Sequence, residues 1–133
     1  ESPGLQNATA VLCGSHVWFD PNWFGTIAKD PYVGPAGVRI IVFHEGGHLV
    51  DCENGPGLAA ERYADRYSGF LSGWAGYSSG GIAVFRRYLF CAICVTHAPP
   101  QTREQDFLGG LAAGRQARAE RESARRHDFY WLR

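Results

Sequence analysis

The sequence has no net charge: 13 Lys and Arg balance 13 Asp and Glu. No overall field therefore draws the molecule to nucleic acid or to an acidic membrane. It also lacks a long apolar run. The best stretch, Ile40 to Phe43, stops at a histidine, far short of the ~20 residues of a membrane span. There is no internal repeat, no low-complexity linker and no signal-peptide pattern. Glu1-Ser2-Pro3-Gly4 is polar, so a targeting segment is expected to lie outside this chain or to have been removed. What remains is ordinary globular usage, 45% hydrophobic and 20% charged over 133 residues. That suits one domain over residues 1–133, with a core at about 6–113 and a charged tail at 114–133.

Four cysteines, Cys13, Cys52, Cys91 and Cys94, allow three full pairings, and their spacing chooses none of them. Cys91 and Cys94 form Cys-x-x-Cys, but the second such pair that a zinc ribbon needs is missing. Packing or a disulfide is the better reading of that half-motif than metal or redox work. Paired cysteines fit a secreted or periplasmic protein and free ones a cytoplasmic protein, so the compartment stays open.

Two short strands are expected, Ala8 to Leu12 and His16 to Phe19, with Cys13-Gly14-Ser15 as the turn. Asp20-Pro21 pairs a helix cap with proline at the first helical position, opening a short helix through Trp23, Phe24 and Ile27. The proline-rich stretch from Asp30 to Pro35 ends it. A helix follows from about Pro35 to Asp51, with Val38, Ile41, Val42 and Leu49 on its apolar face. After the Glu53–Gly57 loop come helices at about Leu58 to Trp74 and Ile82 to Val95, the second stopped by Pro99-Pro100. Thr102-Arg103-Glu104-Gln105 has capping-box spacing and opens a last helix. Phe107, Leu108 and Leu111 can dock, Arg115 to Arg126 reads as a solvated face, and Phe129, Tyr130 and Trp131 can pack back. The fold class is α+β, predominantly helical, with a small N-terminal hairpin packed on a central helix pair.

The informative segment is His44-Glu45-Gly46-Gly47-His48. On a helix, residues four apart share a face, so both imidazoles can converge on one ion, with Glu45 beside it to handle a water proton. Two structural histidines would give the same five letters. Two adjacent glycines inside a helix cost roughly 1 kcal/mol each relative to alanine, so they need a reason. Close approach of a substrate or another backbone is one, and tight helix packing is another. Catalytic zinc usually takes three protein ligands. Glu61, near the start of the next helix, lies beyond a Gly-Pro loop that can reverse the chain, and can be aimed at the same ion. Asp65, one turn further on, can accept a hydrogen bond from a ligand histidine.

With both motifs in place, His44-Glu45-x-x-His48 and Glu61-x-x-Ala64-Asp65, the chain resembles the gluzincin metallopeptidases. The likeness is to the CAAX-prenyl-protease and HtpX-like branch and to the small minigluzincins. Gln6-Asn7-Ala8-Thr9-Ala10 is similar to the segment opening that group's substrate-side strand, and Asp65-Arg66-Tyr67-Ser68-Gly69-Phe70 to its Asp-x-Phe-Ala-Gly continuation. Thr96-His97-Ala98-Pro99-Pro100 resembles its Thr-His-Pro segment with one residue inserted. The resemblance implies that His44, His48 and Glu61 bind one Zn2+, that Glu45 is the general base and that Asp65 stands behind a ligand. It further implies that His97 serves the developing oxyanion and that Ala8, Thr9 and Ala10 line an extended peptide or protein substrate. The chain departs from the group at Gly46, where a bulkier residue is usual, and it lacks the larger relatives' membrane helices, implying a soluble reduced form. The helix that such folds place before the strand is absent or very short.

The activity expected on that basis is zinc-dependent peptide hydrolysis by Glu45-assisted attack of water. Three alternatives stand beside it: a zinc-bound scaffold that binds proteins without cleaving them, a hydrolase acting on something other than peptides, and a structural protein with fortuitous histidines. His16 and His127 receive no role.

Overall fold

The computed structural model describes residues 8–89 and 98–130, with side chains through residue 125. The order is β1 (Ala8–Ala10), β2 (Val17–Phe19), α1 (Pro21–Lys29), α2 (Gly34–Val50), α3 (Leu58–Trp74), α4 (Val84–Arg87) and α5 (Pro100–Tyr130). The fold is mostly helical with one antiparallel two-stranded sheet, Ala8 opposite Phe19 and Ala10 opposite Val17. No helix among the described residues is long and apolar enough to cross a membrane.

Local chemistry explains the first elements. Asp20 caps α1, its Oδ1 accepting from the N–H groups of Asn22 and Trp23 at 2.8 and 3.3 Å, and Pro21 supplies the preset φ of a first helical residue. Asp51 closes α2, its N–H donating to the Gly47 carbonyl at 3.0 Å. The expected strands are each cut to three residues, because the chain turns at Val11 to Gly14, where Cys13 adopts φ 53°. Cys13 is disulfide-bonded to Cys52, the pairing that spacing left undecided. Cys91 and Cys94, with His97, Gln6 and Asn7, lie outside the described residues, as do the side chains of Phe129, Tyr130 and Trp131.

Several expectations need correction. The helix expected over Ile82 to Val95 is one turn, Val84–Arg87, within the described residues. Tertiary partners end it: Arg87 Nε and Tyr88 Oη both donate to Asp30 Oδ2 at 2.9 Å, and the Leu89 carbonyl accepts from Arg103 Nη1 at 3.2 Å. Thr102 does not open α5. The helix begins at Pro100, and the N–H groups of Thr102 and Arg103 already donate to the Pro99 carbonyl. Val42 is 46% exposed and Leu108 45%, since the buried faces of their helices follow Ile40, Ile41 and His44 in α2 and Phe107 and Leu111 in α5. Residues 115–125 do form a largely exposed charged stretch, with Arg118 Nε donating to Glu122 Oε1 at 2.8 Å.

Ala8, Ile27, Val33, Ile40, Ile41, Val84, Phe85, Phe107 and Leu111 form the apolar core. α3 contributes little bulk to it; its buried residues are Ala60, Ala64, Asp65, Ser68, Gly69, Ser72 and Gly73. This smallness lets α3 touch α5 backbone to backbone. Gly69 and Gly73 on α3 face Gly110 and Gly114 on α5. A Cβ at Gly69 would fall on the Phe107 carbonyl oxygen, and one at Gly110 on the Arg66 carbonyl oxygen. Helices this close gain van der Waals and Cα–H···O contacts that bulkier residues forbid.

Gly69→Ala should lower the free energy of unfolding by ~1–3 kcal/mol through overpacking. Gly109→Ala, whose Cβ meets nothing within 4 Å, should raise it by up to ~1 kcal/mol through helix propensity. Urea denaturation of both variants distinguishes them, and equal effects would mean that the two backbones are not in contact.

Candidate metal centre

Two helices bring the motif residues together. His44 and His48 lie one turn apart on α2, and Glu61 sits in the first turn of α3. His44 Nε2 and His48 Nε2 are 3.1 Å apart, and the Glu61 carboxylate lies 3.3 Å from the first and 3.5 Å from the second. Tetrahedral bonds of ~2.0–2.1 Å to a zinc ion put ligand atoms about 3.3 Å apart. The two imidazole nitrogens, and each imidazole with its nearer Glu61 oxygen (Oε2 for His44, Oε1 for His48), lie close to that spacing, so the three side chains are within reach of one cation. Two imidazoles and one carboxylate are also the donor set that suits zinc in a hydrolytic site.

The two glycines between the histidines do different work. A Cβ on Gly47 would sit 2.7 Å from Ala64 Cα, so only glycine lets α2 approach α3 closely enough for Glu61 to meet both rings. A Cβ on Gly46 would make only ordinary contact, 3.8 Å from Tyr67 Cε1. Helix packing therefore accounts for Gly47 and leaves Gly46 without a steric requirement. Ser68 Oγ, one turn beyond Ala64, donates to the Ile40 carbonyl at 2.9 Å and holds the same helix pair.

Behind the cluster stands a chain of polar contacts that the sequence reading caught only in part. Asp65 is fully buried, with Oδ1 2.9 Å from His44 Nδ1. Arg103 was not foreseen. It is 2% exposed and grips Asp65 with both arms of its fork, Nε donating to Oδ2 and Nη2 to Oδ1, each at 2.8 Å. Its Nη2 is also 3.9 Å from Glu61, and its guanidinium lies 5.1 Å above the Phe85 ring. One sequence signal was there: a cation in the first turn of a helix opposes the helix dipole, so Arg103 at the start of α5 needed another reason to be there.

The electrostatics follow from burial and these partners. Burial pulls the His44 pKa down, but hydrogen bonding to Asp65 and Glu61 outweighs it and pushes the value up to about 9. His48 is held below its ordinary value by burial and by the neighbouring His44. Asp65 is kept ionised: burial raises its pKa, but hydrogen bonds with His44 and Arg103 lower it further than burial raises it. Glu45 is 6% exposed. Burial, with the Glu61 charge adding to it, raises its pKa against the opposing effects of His44 and the Ala10 backbone N–H.

That last contact ties the site to the sheet, since Ala10 ends β1. Ala8 of the expected substrate strand is buried and Thr9 is exposed, paired with Trp18. The structure thus brings His44, Glu45, His48, Glu61, Asp65 and Ala10 into one neighbourhood, while His97 lies outside the described residues.

Metal binding requires His44 Nε2 without a proton. With a metal-free pKa of about 9, His44 should release about one proton per zinc ion taken up near pH 7, and affinity should rise about tenfold per pH unit until pH ~9. His48, already lowered, adds no proton at neutral pH. Calorimetric titration in buffers of different ionisation enthalpy reads the proton count, and zero released protons would contradict this electrostatic picture.

No protein-family model, curated protein or solved structure matches the chain.

Proposed function

We propose that this chain is a zinc-dependent peptidase of the gluzincin kind. The observation that carries the reading is the convergence of His44, His48 and Glu61 at 3.1 to 3.5 Å, with Glu45 beside them and Asp65 behind. A zinc ion held there would lower the pKa of water toward ~7 and polarise a peptide carbonyl. Glu45 takes the proton of the attacking water and passes it to the leaving amine; its raised pKa brings it closer to the neutral range where a general base works well. Asp65 fixes the His44 ring so that Nε2 faces the cluster, and Arg103 fixes Asp65. Because the sheet has two strands, β1 keeps one edge without a strand partner among the described residues. That edge runs past Glu45 and suits an extended peptide better than a compact small molecule. The exposed Cys13–Cys52 bond fits an oxidising compartment.

A second reading, a zinc-bound scaffold that binds protein without cleaving it, is favoured by one observation. A cavity of about 610 Å³ opens between α3 and α5, walled by Tyr63, Tyr67 and Phe70 and floored by Gly109 and Gly110.

The Glu45→Gln variant separates the two. Under the peptidase reading it keeps its zinc and loses about 10²–10⁴-fold in hydrolysis of an unfolded protein substrate. Full activity in that variant would remove Glu45 from the chemistry. A wild-type protein loaded with zinc that turns over neither unfolded protein nor a peptide library would leave the scaffold.

A further inference from the structure

The Cys13–Cys52 bond joins the two sides of the site. Cys52 directly follows Asp51, the residue that closes α2, four positions beyond His48. Cys13 lies three residues past Ala10, whose N–H meets the Glu45 carboxylate. The Cys13 N–H donates to the His48 carbonyl at 3.0 Å. It thereby satisfies one of the carbonyls that the end of α2 leaves without a partner inside the helix. The turn after β1 is thus fastened to the end of α2 by one hydrogen bond, to the backbone of the candidate ligand His48, and by one covalent bond, to Cys52 just past the helix.

Beyond these, β1 is anchored by Ala8 in the apolar core and by the Ala10 contact with Glu45. Two strands of three residues are marginal by themselves, and the buried side chain of β1 is a single alanine, Ala8. The metal cluster is held by other means: the Gly47–Ala64 contact, the Ser68–Ile40 hydrogen bond and the Arg103–Asp65 fork, none of which involves the sheet. Both cysteines are exposed, and an exposed disulfide is within reach of thiol exchange.

We infer that the Cys13–Cys52 bond is a positioning element for β1, making engagement of an extended peptide depend on the oxidised bond while metal retention does not. This deepens the peptidase reading and rests on it. Reduction by a dithiol such as dithiothreitol transfers two electrons and two protons to the bond. Cys13 and Cys52 become thiols and the reagent closes to its cyclic disulfide.

The test compares the zinc-loaded wild-type chain with the Cys13→Ser/Cys52→Ser double variant, and with the wild type after dithiothreitol. The double variant isolates this bond from any effect of the reagent on Cys91 and Cys94. Zinc content of the double variant should match that of the wild type, metal retention being read there because a dithiol itself binds zinc, and amide hydrogen exchange at residues 9–13 should speed up. For a fluorogenic octapeptide that the oxidised protein cleaves, KM should rise about tenfold with kcat held, the signature of lost uniform binding. A fluorogenic dipeptide amide, too short to pair with β1, should show no change. Unaltered exchange and KM in the double variant would overturn the inference. So would loss of zinc from that variant, or an equal loss on both substrates, either of which marks the bond as general scaffolding. If the oxidised protein cleaves nothing, the peptidase reading falls, and the exchange data alone decide whether the bond positions β1.

Discussion

Three helix backbones have to lie unusually close for this site to exist, and glycine is what lets them. Gly47 admits α2 to Ala64 of α3, and Gly69 and Gly73 admit α3 to Gly110 and Gly114 of α5. The first contact sets the distance between the paired imidazoles and Glu61. The second brings the start of α5 near enough for Arg103 to reach Asp65 across the helix interface. An extra methyl group at either contact pushes apart helices that packed interiors do not easily let yield. The glycine that weakens each helix locally is thus the residue that assembles them.

The buried Arg103–Asp65–His44 chain is the second consequence. An ion pair taken out of water adds little net stability, because desolvation offsets its attraction, while removing one partner strands a charge at a cost of ~3–5 kcal/mol. Its value is directional. A planar fork gripping both carboxylate oxygens leaves Asp65 one orientation, and Asp65 in turn fixes which nitrogen of His44 faces the cluster. With the Nδ1 proton held toward Asp65, the proton that His44 gives up on metal uptake is the one on Nε2.

Much of this was legible because it is local. The 3.6-residue period and the flanking cap and turn residues gave α2 to within one residue at each end, and α3 with the bounds Leu58–Trp74. Spacing of four placed His44 and His48 on one face, and the reversing loop before Leu58 was enough to aim Glu61 and Asp65 toward them. What was missed is non-local. The paired Gly-x-x-x-Gly stretches are plain in the sequence, but nothing in either says that it faces the other. Arg103 looked like part of a capping motif because its partner, Asp65, lies 38 residues earlier. The helix after Ile82 looked longer than it is because Asp30, 58 residues before Tyr88, recruits the tyrosine hydroxyl just past its end. Which cysteine meets Cys13 likewise depends on how the hairpin docks, which no spacing records.

The account stands on a single divalent ion held jointly by residues 44, 48 and 61. Its most direct measurement is zinc content by mass spectrometry of purified wild-type protein and the His48→Ala variant, each dialysed against metal-free buffer after loading. The account predicts one zinc ion per wild-type chain and none retained by a still-folded variant. Equal zinc in both proteins, or none in either, would contradict it.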